Sequence, residues 1–161
     1  MPLTAAGVEE ALRTLDPKLQ NLALVGGGSE ARAYVSLAGV KDPVPLGTLG
    51  EGATRMLTLA LMLVSTRGGF VFIDEIESGL HYSVHRDLWR MVVETAKRLD
   101  IQVFATTHSK DVLEAIARLY EETPALAEEI TVYRLEAGAP TAVRMTAATI
   151  VGTVEGQVDV R

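Results

Sequence analysis

With 161 residues, 48% hydrophobic and 22% charged, the chain has enough apolar material for one folded domain and too much for a disordered one. It contains no cysteine, which excludes disulfide scaffolds, Cys-ligated zinc and thiol catalysis. The net charge of −6 comes from 21 acids against 15 scattered bases, with Lys97-Arg98 the only adjacent pair, so any DNA contact is expected from other segments.

Residues 5–15 carry Ala5, Ala6, Val8, Ala11, Leu12 and Leu15 at helical spacing and stop at Asp16-Pro17. Glu9, Glu10 and Arg13 interrupt the segment too early for a signal peptide. Two β-like runs, Asn21–Val25 and Ala31–Leu37, flank Gly26-Gly27-Gly28-Ser29 and predict a hairpin. Pro43 and Pro45 mark an extended approach to Gly50-Glu51-Gly52. Ala53–Ser65 is nearly all apolar and predicts a helix buried on most sides. Its strongest stretch, Met56–Val64, is far too short to cross a bilayer, and a cytoplasmic, membrane-free protein is expected.

Gly68-Gly69 ends that helix, and Phe70–Ile73 predicts a central strand covered on both faces. His81–Leu99 is amphipathic, Ile101–Ala105 is the next strand and Lys110–Tyr120 the next helix. Ile130–Leu135 and Ala142–Met145 predict a hairpin, followed after Ala147 by a short helix and tail. The strand–helix–strand order of the middle predicts an α/β fold with right-handed crossovers. The whole chain, 1–161, reads as one domain: a lead-in over 1–45, a core over 46–121, and a hairpin and tail over 122–161.

The chemistry concentrates where the Phe70–Ile73 strand ends in Asp74-Glu75. Carboxylates leaving a buried strand stand outside the carboxyl edge of the sheet, where open α/β proteins bind ligands. Nucleotide-hydrolysing enzymes keep a Mg²⁺-binding acid and a water-orienting base in such a place. Two acids there can equally do no more than cap the turn that follows. The small-residue turn Ser78-Gly79 and the later Thr106-Thr107-His108-Ser109 make the set more specific.

That set resembles the ABC-type ATPases. Phe70–Glu75 is similar to a Walker B strand, Ser78–His81 to the D-loop, and Thr107-His108-Ser109 to the switch-histidine segment. The wording Ile73–His81 followed by Ala105–Ser109 is most similar to the SMC, RecF and OLD branch, the AAA_21-like ATPases. The resemblance implies a three-layer, P-loop NTPase-like fold with a mostly parallel sheet, of which this chain is the C-terminal lobe, and Glu155–Arg161 resembles the group's natural C-terminus. It further implies Asp74 for Mg²⁺, Glu75 and His108 as catalytic groups, and Ser78 and Gly79 for contact across a dimer of heads. Gly50, Glu51 and Gly52 fall on the signature loop, which contacts the γ-phosphate of ATP bound by the opposite subunit. Gly50 stands where the family usually has Ser, with Thr48 near enough to offer a hydroxyl instead.

None of Lys18, Lys41, Lys97 or Lys110 stands in the G-x-x-x-x-G-K-[ST] setting of a P-loop. ATP hydrolysis would therefore need a P-loop from another lobe or subunit, and the surface complementary to it is expected to be exposed and to favour self-association. Three rivals remain open. His81 and His85 are four apart like zinc ligands, but lack the H-E-x-x-H pattern. A Mg²⁺-dependent nuclease on Asp74, Glu75 and Glu77 needs the turn to reorient one acid, because neighbours on a strand point apart. A regulatory subunit lending only its signature loop is the non-enzymatic alternative.

Overall fold

The computed structural model describes residues 8–9, 12–13, 16–26, 31–66 and 68–155. Most of the predicted first helix, the turn residues 27–30 and the tail 156–161 lie outside the described residues. Val8 and Leu12, both buried in the main core, are the described apolar residues of that helix.

Strand β1 (Leu19–Val25) pairs antiparallel with β2 (Arg32–Leu37), with a bulge between Leu19 and Asn21. The predicted hairpin is therefore present, its first strand starting two residues earlier than Asn21. The extended approach becomes a short edge strand, β3 (Val44–Pro45), on the far side of β2. Proline lacks an N–H to give a ladder, so an edge is where it is tolerated.

Helix α1 (Glu51–Ser65) buries Ala53, Met56, Leu57, Leu59, Ala60 and Leu63. It ends where Ser65 and Thr66 turn their hydroxyls back onto the Leu61 and Met62 carbonyls, at 2.7 and 3.0 Å. Strand β4 (Phe70–Ile73) follows, then helix α2 (His85–Leu99), strand β5 (Gln102–Ala105) and helix α3 (Lys110–Glu122). The crossover through α2 makes β4 and β5 parallel, in the register Phe70↔Gln102 to Ile73↔Ala105. Helix α2 buries Leu88, Met91 and Val92 and stops at Asp100, whose left-handed φ of 56° ends the helical path.

A four-residue helix α4 (Pro124–Ala127) leads to the hairpin β6 (Val132–Arg134) and β7 (Val143–Met145), then to helix α5 (Ala147–Glu155). Met145 and Ile150 pack with Val112, Ile116 and Ala117 of α3 in a smaller second core. Tyr120 donates from its hydroxyl to the Ile130 carbonyl at 2.9 Å, pinning the hairpin to α3.

Two sequence expectations need correction. The sheet is not mostly parallel: among the described residues three small sheets form, and of their pairings only β4–β5 is parallel. The other neighbours are joined by short connections, which permit only antiparallel pairing. Nor is β4 covered on both faces. Val71 and Ile73 are buried, whereas Phe70 and Phe72 are 64% and 74% exposed and Phe104 of β5 is 45% exposed. Among the described residues, the third layer is absent from this face.

The three rings stack on one another, Phe72 on Phe104 at 5.1 Å and Phe70 on Phe104 at 6.4 Å between centroids. They present roughly 350 Å² of aromatic surface, comparable to the largest patch on a typical monomer. The chain is expected to bind a hydrophobic dye and to self-associate. Phe72→Ser combined with Phe104→Ser should lower dye fluorescence severalfold and shift sedimentation towards monomer, with stability changed by no more than about 0.5 kcal/mol. Unchanged dye binding in the double variant would place the sticky surface elsewhere.

Candidate functional site

Parallel strands in register leave the sheet together. Ile73 pairs with Ala105, so the next residues, Asp74 and Thr106, emerge side by side at the carboxyl edge. The Thr106 hydroxyl donates to Asp74 Oδ1 at 2.5 Å and accepts from the Glu75 amide at 3.0 Å. Its backbone completes the seam: the Thr106 amide donates to the Ile73 carbonyl at 2.9 Å, and the Thr106 carbonyl accepts from the Ile76 amide at 3.1 Å. One residue thus orients the first acid and fixes the path of the second. Sequence reasoning gave Thr106 no role. The available signal was the equal length of the two apolar runs, which places a hydroxyl opposite the acid once the strands are parallel.

Glu75 has a φ of 45°, a left-handed conformation uncommon for a residue other than glycine, asparagine or aspartate. It ends the alternation of the strand at once, so the two carboxylates are not simply sent to opposite faces. The loop then winds through tight turns, with the Ser78 amide on the Glu75 carbonyl and the Leu80 amide on the Glu77 carbonyl, each at 2.9 Å. Ile76 is fully buried and anchors the loop, and Gly79 takes a φ of 75° that favours glycine. Asp74, Glu75 and His108 are all exposed on this rim. The His108 amide donates to Glu77 Oε1 at 3.2 Å, and the Thr107 hydroxyl accepts from the Ser109 amide at 3.0 Å just before α3.

None of Asp74, Glu75 and Glu77 joins an ion pair among the described residues. Mg²⁺ is usually held by one or two carboxylates together with water and phosphate oxygens. Asp74 fits that demand, having one oxygen held by Thr106 and the other without a protein donor among the described residues. No group of three or more His, Asp or Glu side chains gathers for a metal among the described residues. His81 instead accepts from the Ser83 amide and lies against the Tyr82 ring, while His85 is buried in α2. No third ligand joins the two among the described residues.

A 3-10 turn, Leu46–Leu49, leads into Gly50, whose φ of 92° explains the glycine: a Cβ would meet nothing within 4 Å, but the backbone conformation disfavours L side chains. The Thr48 hydroxyl is engaged with the Pro45 carbonyl at 2.7 Å, so it does not offer itself in place of a serine. Gly52, in the first turn of α1, lies against Leu80 and the Gly79 carbonyl, where an added Cβ would sit 3.6 and 3.9 Å away. Glu51, Thr54, Arg55 and Thr58 of α1 line a groove of about 430 Å³ with Ser78 and Gly79. The structure therefore brings Gly50–Gly52 against Ser78-Gly79, and Asp74-Glu75 against the Thr106–Ser109 segment. The loop of residues 74–80 joins the two groups.

A family model described as "AAA domain, putative AbiEii toxin, Type IV TA system" matches residues 31–114. An ATP/GTP phosphatase of Helicobacter pylori is 26% identical over 117 residues, 71% of this chain. The chain spans 32% of that relative's length. Among solved structures, a chain from work on ATP-driven dimerization and DNA-stimulated activation of SMC ATPases aligns with a TM-score of 0.60 at 16% identity, over 95% of this chain and 89% of that one. The Smc head domain of Pyrococcus yayanosii, with its coiled coil and joint, aligns with a TM-score of 0.58 at 16% identity, over 95% of this chain and 28% of that one. The fold is that of SMC ATPase heads.

Thr106→Val removes the hydroxyl from both of its partners while keeping the shape. It is expected to lower stability by about 1 kcal/mol in urea denaturation, below the usual worth of a hydrogen bond to a charged group because the rim is open to water. Thr106→Ser, which keeps the hydroxyl, should retain most of that stability; an undiminished stability in Thr106→Val would leave the hydroxyl without a stabilising role.

Proposed function

The chain belongs to the AAA-domain family whose model spans residues 31–114, and from that membership we propose that it supplies the Walker B, signature-loop and switch-histidine half of an SMC, RecF and OLD-like ATPase. The observation that carries this reading is the shared rim of β4 and β5, where Asp74, Glu75 and the His108 segment are tied through Thr106. Asp74 would hold Mg²⁺, which would neutralise charge on phosphate oxygens. Glu75 orients and accepts a proton from the attacking water. His108 hydrogen-bonds the terminal phosphate from the neighbouring loop.

The phosphate grip comes from a P-loop outside these residues. The uncovered Phe70, Phe72 and Phe104 face supports a further lobe or subunit seated on the sheet, as does the 32% share of the Helicobacter pylori relative that the chain spans. Gly50–Gly52 and Ser78-Gly79 form a contiguous surface that, in a head-to-head homodimer, caps the nucleotide of the opposite head. Unpaired N–H groups at the start of α1 favour an anion there. The SMC structure that aligns over most of this chain comes from a protein studied for ATP-driven dimerization, which agrees with such an assembly.

The test is hydrolysis by this chain joined to its P-loop-bearing lobe. Glu75→Gln should reduce kcat by about 10²–10⁴-fold, the usual worth of a general base, while leaving ATP binding intact. Asp74→Ala should abolish the dependence on Mg²⁺ concentration together with turnover. Full turnover in the Glu75→Gln protein would remove this chain as the source of the base and leave it a regulatory subunit.

A further inference from the structure

Glu77 is the third acid of the rim, and the ATPase reading leaves it without a task. Its surroundings give it one. Oε1 accepts from the His108 amide at 3.2 Å, across a separation of 31 residues, whereas Oε2 is buried and has no donor among the described residues. A carboxylate oxygen kept from both water and donors is unfavourable. The charge strengthens the one bond this side chain makes among the described residues, to the His108 amide.

The bond is also separable from the rest of the rim. Asp74, Glu75 and Ile76 are tied to Thr106, and Ser109 is capped by Thr107. The His108 amide takes its partner from the opposite loop, from a side chain lying next to Ser78 and Gly79. Ile76, fully buried, holds the base of that side chain in place. Loss of the carboxylate would free His108 and leave both catalytic acids where they are.

We propose that Glu77 is a positioning residue, a latch that sets the histidine loop through the His108 main chain and links its placement to the Ser78-Gly79 turn. The proposal rests on the reading of His108 as a group that meets the terminal phosphate. Its structural half is independent of that reading and is tested first. Hydrogen exchange at the His108 amide, followed by NMR on this chain, should accelerate about tenfold in Glu77→Ala, the equivalent of one lost hydrogen bond. Glu77→Gln, which keeps the acceptor, should stay within about threefold of the parent. No acceleration in Glu77→Ala overturns the latch, as does an equal acceleration at amides throughout the core, which would mark general destabilisation.

The functional half uses the chain joined to its P-loop-bearing lobe. Glu77→Ala should lower kcat with little change in KM for ATP, and should add nothing when His108 is already alanine. Full additivity of the two losses overturns the coupling. Absence of hydrolysis from every form, parent included, would remove the ATPase reading instead, and the exchange result would then decide the latch alone.

Discussion

The rim depends on one constraint: two parallel strands of equal length that end together. A slip of the β4–β5 register would carry Thr106 away from Asp74 and turn the side chains of one strand to the other face. In register, a single hydroxyl bridges the acid of one loop and the main chain of the next residue. The apolar faces of Val71, Ile73, Val103 and Ala105, packed on the main core, hold that register. The polar seam at the end is therefore bought by hydrophobic packing several residues away.

The elements of the core were legible because they obey simple periodicities. The α1 stripe, the alternation of α2 and the glycines before β4 each had one reading. Asp74, Glu75 and His108 stood out because acids and an imidazole directly after strands are conspicuous. Thr106 and Glu77 belong to the same motifs, but the contacts they make have no sign in sequence, since threonine in a strand-like context and glutamate in a turn are ordinary. Their roles arise from which loops become neighbours, and a residue 31 or 32 positions away in sequence gives no local sign of that. Gly50 shows the converse: the departure from the family's serine was visible, and its cause, a left-handed backbone, was not.

The exposure of the phenylalanines is hidden in the sequence for a related reason. Phe70–Ile73 is apolar at every position, which reads as burial on both faces. The pattern states what the strand can tolerate, and the described residues supply a cover for one side only. Stacking among Phe70, Phe72 and Phe104 reduces the wetted area without removing it.

The left-handed turn at Glu75 also shapes how this lineage can drift. Glycine, asparagine and aspartate fit such a backbone with less strain than glutamate, and each of them either lacks a carboxylate or holds it one methylene closer to the main chain. Relief of conformational strain and loss of this carboxylate's reach lie along the same mutational path. A paralogue with a calmer loop at this position would keep its shape and present a different set of acids at the rim.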